Sequence, residues 1–148
     1  PVAKRFGLSI EKLAKWMVGV DYTYTDWSKV NNNLGRSATL PASHKVAVGA
    51  EYTPDIESVS NYFKRTTYRA GASYEKTPYD FLGNGSYAVD KNLSFGVALP
   101  LRNLSLLNIA YQVGRRGLIT DNGMEEQYHR LTLGLTFSDL WFQKQKIN

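Results

Sequence analysis

The chain has 148 residues, 43% of them hydrophobic and 13% aromatic, with no cysteine and a net charge of +5. That is enough apolar material for one folded region and too little length for two, and the lack of thiols excludes disulfides and thiolate metal sites. The 18 Lys and Arg are spread along the chain, so no basic stripe with interleaved aromatics marks a nucleic-acid surface, and no apolar run approaches the ~18 residues of a membrane helix.

Alternation of apolar and polar residues recurs from end to end, the signature of strands with two unlike faces. The first segment runs from about Ala3 to Glu11, with Phe6, Leu8 and Ile10 on one face. In the second, Trp16 to about Trp27, Trp16, Val18, Val20, Tyr22 and Tyr24 oppose Gly19, Asp21, Thr23 and Thr25. The third, His44–Thr53, sets Val46, Val48, Ala50 and Tyr52 against Lys45, Ala47, Gly49 and Glu51. In the fourth, Tyr68, Ala70, Ala72 and Tyr74 oppose Arg69, Gly71, Ser73 and Glu75. The fifth opposes Leu93, Phe95, Val97, Leu99 and Leu101 to Asn92, Ser94, Gly96, Ala98, Pro100 and Arg102. The sixth opposes Leu107, Ile109, Tyr111 and Val113 to Asn108, Ala110, Gln112 and Gly114. The seventh, "YHRLTLGLTF", sets Leu131, Leu133, Leu135 and Phe137 against Arg130, Thr132, Gly134 and Thr136.

Two all-β architectures share this grammar. In a soluble sandwich the apolar faces form the core; in a transmembrane barrel they face lipid and the polar faces line the interior. Most segments have the roughly 9–11 residues that cross a bilayer when tilted, against about 5–6 in soluble strands. The connections also sort by length in an up-and-down meander. Lys12–Lys15 and Leu101–Leu104 are short and lie on the side of the chain's C-terminal end, expected to be periplasmic, with the longer "TPDIESVSNYFKRT", whose Ile56, Val59 and Phe63 have helical spacing and suit a membrane interface. "KVNNNLGRSATLPA", "KTPYDFLGNGSYAVDK" and "RRGLITDNGMEEQ" are long and lie at the other end, the asymmetry of outer-membrane barrels. Aromatics mark both ends: Tyr22, Tyr24, Trp27 and Tyr74 at the loop end; Trp16, Tyr52, Tyr68 and Phe137 at the turn end. The expectation is an antiparallel up-and-down transmembrane β-barrel in the bacterial outer membrane. Seven strands are an odd count, so residues 1–148 are expected to be a single barrel region, the C-terminal part of a longer protein.

The chemistry-bearing residues are few. Asp21, Lys45, Glu51, Arg69, Glu75, Arg102 and Arg130 share the polar, lumen-facing set. They read either as a charged lining or as an ion-pair network that fills the interior. "GRRG" at 114–117 offers two arginines beside an outer loop to lipopolysaccharide phosphate or another anion, or is a solvated loop stem. "GNG" at 83–85 and "DNG" at 121–123 read as turns, not phosphate loops. His44 and His129 have no partner recognisable by spacing, and no His or carboxylate cluster has ligand spacing. Neither enzyme activity, nor a metal, nor a cofactor is expected.

"KWMVGVDYTYTDWSKV", "VAVGAEYTPD", "KRTTYRAGASYEKTPYDF", "SFGVALPLRN" and "LTLGLTFSDLWFQKQK" together resemble the C-terminal half of FadL-type outer-membrane transporters, from about Lys4 to Lys146. The resemblance implies half of a barrel of about fourteen strands. It also implies passive transport of long-chain fatty acids or other hydrophobic molecules across the outer membrane. An N-terminal hatch, which holds ligand in that family, lies outside this chain, so no ligand-binding position is carried over. The alternative is a structural or scaffold subunit of a larger outer-membrane complex. The seventh segment also resembles the C-terminal signal by which the barrel-assembly machinery recognises its clients, with Leu131, Leu133, Leu135 and Phe137 as its apolar positions. Beyond it, Trp141 and Phe142 suit the membrane interface and Lys144 and Lys146 suit lipid phosphates. Expected partners are outer-membrane lipid and lipopolysaccharide, the barrel-assembly machinery during biogenesis, and a hydrophobic ligand or other outer-membrane subunits.

Overall fold

A computed structural model describes residues 1–28, 40–80, 82–101 and 105–137. Arg102, Trp141, Phe142, Lys144 and Lys146 lie outside the described residues. The chain forms one seven-stranded antiparallel sheet in sequence order. Its strands are β1 (Val2–Lys12), β2 (Trp16–Asp26), β3 (Ser43–Tyr52), β4 (Thr67–Lys76), β5 (Val89–Pro100), β6 (Leu106–Leu118) and β7 (Met124–Thr136). Two single helical turns interrupt the meander, α1 (Tyr62–Arg65) and α2 (Ile119–Asn122). The all-β up-and-down architecture read from the alternation is therefore the observed one. The sheet is open: β1 and β7 are its outer strands and do not pair with each other.

Along the middle of the strands the register sets apolar against apolar. One rung runs Leu8, Val20, Val48, Ala72, Leu93, Val113 and ends on His129; another runs Ile10, Val18, Ala50, Ala70, Phe95, Tyr111, Leu131. The polar rung between them is Ser9, Gly19, Gly49, Gly71, Ser94, Gln112, Arg130. A one-residue slip at any pair would move a whole strand's apolar set to the polar face, so the pattern itself pins the register. At the three central glycines of that rung the polar face is nearly bare backbone. At Gly71 a Cβ would stand 3.0 Å from Ser94 Oγ and 3.2 Å from the Val48 carbonyl, so the strands there pack close.

The apolar face is open, where a water-soluble sheet buries it. On the apolar face Leu8 is 83% exposed, Leu93 51%, Phe95 57% and Leu133 67%. The described strand side chains that are buried, Ser43, Asp90 and Ala98, all belong to the polar set.

Two expected connections differ. The "RRGLITDNGMEEQ" loop is mostly strand: β6 continues through Leu118 and β7 begins at Met124, joined by α2 and Gly123 at φ 67°. Its charged residues read as loop, but they are satisfied across the ladder, by Arg115–Glu125 at 2.7 Å and Arg116–Glu126 at 3.5 Å. In "TPDIESVSNYFKRT" the helical period of Ile56, Val59 and Phe63 is not realised. Only Tyr62–Arg65 is helical, capped by the Asn61 side chain, which accepts from Phe63 N–H at 3.1 Å.

Candidate functional site

The polar face carries a hydrogen-bonded network assembled from residues far apart in sequence. Lys45 on β3 and Glu75 on β4 are register partners and form an ion pair at 3.2 Å. Further along the same strands, Arg69 Nε donates to Glu51 at 2.7 Å and its Nη1 to Asn108 at 3.1 Å, joining β3, β4 and β6. Asn108 in turn donates to Thr136 at 3.3 Å, which reaches β7. Asp21 stands over Gly7, where an added Cβ would lie 2.5 Å from its carboxylate. Arg130 is the register partner of Gln112. Thus Asp21, Lys45, Glu51, Arg69, Glu75 and Arg130 all lie on the polar face, with two opposite-charge pairs among them. Direct cross-strand pairs of this kind contribute roughly 0.2–1 kcal/mol each.

The tightest cluster was not legible as such. Asp90, 6% exposed, accepts from Arg116 Nε at 2.9 Å and from the Tyr128 hydroxyl at 2.9 Å. The Tyr128 ring folds across Gly114, its partner on the neighbouring strand, filling the space a side chain there would need. Spacing gave no sign of this, because Asp90, Gly114 and Tyr128 meet only through the β5–β6–β7 register. The two arginines of "GRRG" do not converge either. Arg116 turns to the polar face and Asp90, while Arg115 turns to the apolar face beside Lys91 and Glu125.

The apolar face holds two tyrosine–histidine pairs besides Arg115–Glu125. The Tyr22 hydroxyl lies 2.8 Å from His44 Nδ1, and the Tyr111 hydroxyl 2.6 Å from His129 Nδ1. Both histidines therefore have partners, reached diagonally across neighbouring strands. Aromatics bracket this face. Trp16, Tyr52 and Tyr68 occupy one rung at the turn end; Tyr22, Tyr24 and Tyr74 lie at the loop end. Trp27 instead donates its indole N–H to buried Ser43 on the polar side, at 3.1 Å. Leu131, Leu133, Leu135 and Phe137 are exposed along the outermost strand and its end, at 66%, 67%, 58% and 78%. Among the described residues, no cluster of His, Asp and Glu has metal-binding geometry.

At the loop end the Asp80 carboxylate accepts from Gly83 N–H and Gly85 N–H, each at 2.7 Å. Both glycines have positive φ, 69° and 82°, so "GNG" is a turn, as its composition predicts. The Gly85 amide first of all holds the Asp80 pKa below its ordinary 3.8; desolvation opposes it, and the amides of Gly83, Asn84 and Leu82 add to the lowering. A depressed carboxylate pKa stabilises the fold above the unfolded value and ceases to do so as pH falls through the folded one. Amide-exchange protection at Gly83 and Gly85 should therefore persist above pH 3.8 and fall below it. Asp80→Ala should abolish that protection at every pH; unchanged protection in the variant would refute the assignment.

No curated protein and no solved structure matches this chain. A family model does, under the name BamG, and it covers residues 1–148. No FadL-type model matches, so the expected membership of that transporter family, and with it passive transport of fatty acids or other hydrophobic compounds, is overturned. The physical reason is that alternation, girdling aromatics and small polar-face residues are demanded of any outer-membrane wall and carry no family information. The matching family associates the protein with the outer membrane and with the barrel-assembly machinery. With the match spanning its whole length, the chain belongs to the BamG family.

Proposed function

We propose that this chain is part of the wall of an outer-membrane β-barrel and serves the barrel-assembly machinery as a structural subunit, without covalent chemistry of its own. The observation that carries this reading is an apolar face open across all seven strands, backed by a polar face on which Lys45–Glu75, Arg69–Glu51 and Arg116–Asp90 pair. In water such a face is a large association or aggregation liability; against hydrocarbon it is at equilibrium. The Tyr22–His44 and Tyr111–His129 pairs fit the same solvent, since polar atoms in hydrocarbon must be satisfied internally. The aromatic rungs at both strand ends suit the two interfaces, with the loop end outward. The cross-strand ion pairs of the polar face suit a rigid interior more than a passage for cargo. The outer edges of β1 and β7 then pair with further strands, because an open edge cannot face lipid.

Affinity purification of the full-length protein from gently solubilised outer membranes tests this. Subunits of the barrel-assembly machinery should co-purify in fixed proportion, and depletion should lower the level of folded outer-membrane barrels while fatty-acid uptake per barrel is unchanged. A protein that purifies alone, and whose depletion leaves barrel levels intact, would overturn the proposal.

A further inference from the structure

The loop-end part of the apolar face contains a feature that wall-building does not explain. Lys91 on β5 and Arg115 on β6 are direct register partners, side by side on the apolar face, whose loop-end rungs also carry Lys4, His44 and Lys76. Like charges directly opposite one another destabilise a sheet. Arg115 is partly neutralised by Glu125 at 2.7 Å. Lys91 has only the Tyr74 ring, 5.7 Å away, and among the described residues no carboxylate pairs with it. A third cation, Lys76, lies one strand over, its ammonium 5.5 Å from the Tyr87 ring.

Directly below, toward the middle of the strands, a groove of about 580 Å³ is floored by Val48, Ala72, Leu93 and Val113, with Lys91 and Arg115 at its rim. No carboxylate lines it. It adjoins a second, more polar hollow of about 480 Å³, shared by Tyr74, Lys91 and Arg115 and reaching Lys76 and the backbone around Gly85 and Tyr87. Asp121 lines that hollow as well. The combination is an apolar trough capped by cations at the loop ends of the strands.

We infer that this groove binds a phosphorylated lipid of the outer leaflet, of the lipid A type. Its acyl chains lie on Val48, Ala72, Leu93 and Val113, and its phosphate bridges Lys91 and Arg115. The inference rests on the wall reading, which places this face in the membrane with the loop end outward. Phosphate is the matching group because a guanidinium fork and an ammonium together satisfy several of its oxygens and relieve their mutual repulsion. The aliphatic stems of Lys91 and Arg115 extend along the apolar surface with their charges at the headgroup level.

The test places a photo-crosslinking benzoylphenylalanine at Phe95, further into the apolar face, in the full-length protein within its native outer membrane. Irradiation should yield lipid A adducts. The double variant Lys91→Gln/Arg115→Gln should lower them roughly thirtyfold relative to phospholipid adducts, from the attraction of two cations near a charged lipid surface. Lys91→Arg/Arg115→Lys should restore them, and Glu125→Gln, which frees Arg115, should raise them. If the double variant fails to accumulate, Lys91→Gln alone, which leaves the Arg115–Glu125 pair intact, should still lower them about fivefold. Adducts indifferent to these charges, or suppressed by excess inorganic phosphate as at a free-anion site, would overturn the lipid site and leave the wall reading standing. No lipid adduct of any class at Phe95 would overturn the wall reading itself.

Discussion

Replacing Val48 by arginine should destabilise the protein by about 2–4 kcal/mol in a bilayer, the range for a cation near the midplane on the lipid face of a barrel. Val48 is 47% exposed and sits mid-strand in the rung Val20, Val48, Ala72, Leu93. On an ordinary water-facing strand the same change at such an exposed position stays within roughly 0.5 kcal/mol. Thr132→Arg is the matched control: Thr132 is exposed on the polar face of β7, opposite Ala110, and an added cation there should have little effect. Urea-induced unfolding of the full-length protein from lipid vesicles reads both. Equal, small effects would mean that water and not hydrocarbon bathes the apolar face.

A methyl group at Gly114 should be the most damaging small change on the polar side. An added Cβ would occupy the space of the Tyr128 ring carbons, including Cε1 at 2.8 Å, so the ring must leave and its hydroxyl must abandon Asp90. Overpacking of this kind costs about 1–3 kcal/mol. Tyr128→Phe, which keeps the ring and removes the hydroxyl, should cost about 1 kcal/mol. Asp90→Ala removes the acceptor of both Arg116 and Tyr128. The carboxylate side chain is 8% exposed but the arginine's is 43%, and Glu126 at 3.5 Å remains to it. The loss should therefore fall below the ~3–5 kcal/mol of breaking a fully buried pair, nearer ~2 kcal/mol. Gly114→Ala combined with Tyr128→Ala should be less harmful than the sum of the two, because the second change vacates the space the first needs. Strict additivity would show that ring and glycine do not share that space in the folded protein.

The apolar and polar faces were legible because strand geometry is local. With side chains alternating every residue, Leu131, Leu133 and Leu135 must share a face whatever the rest of the chain does. The glycine-rich turns were legible for the same reason: Gly83, Gly85 and Gly123 adopt positive φ that few other residues tolerate. Strand ends were less so. Arg115, Arg116, Glu125 and Glu126 have loop-like composition, and only their pairing across β6 and β7 makes them strand. Family membership was misread because alternation, girdling aromatics and small polar-face residues recur in outer-membrane walls of any family.

What the sequence alone determined is the direction of each strand side chain and hence the two unlike surfaces of the sheet. That follows from backbone stereochemistry and needs no knowledge of neighbours. What only the tertiary structure decided is who meets whom across strands. Register joined Arg69 to Glu51 and Asn108, laid Tyr128 over Gly114, and set Arg115 beside Lys91 and Arg116 beside Asp90. Cross-strand partners lie within about 5 Å yet tens of residues apart in sequence. Their identity is therefore a property of the paired sheet and of no single segment in it.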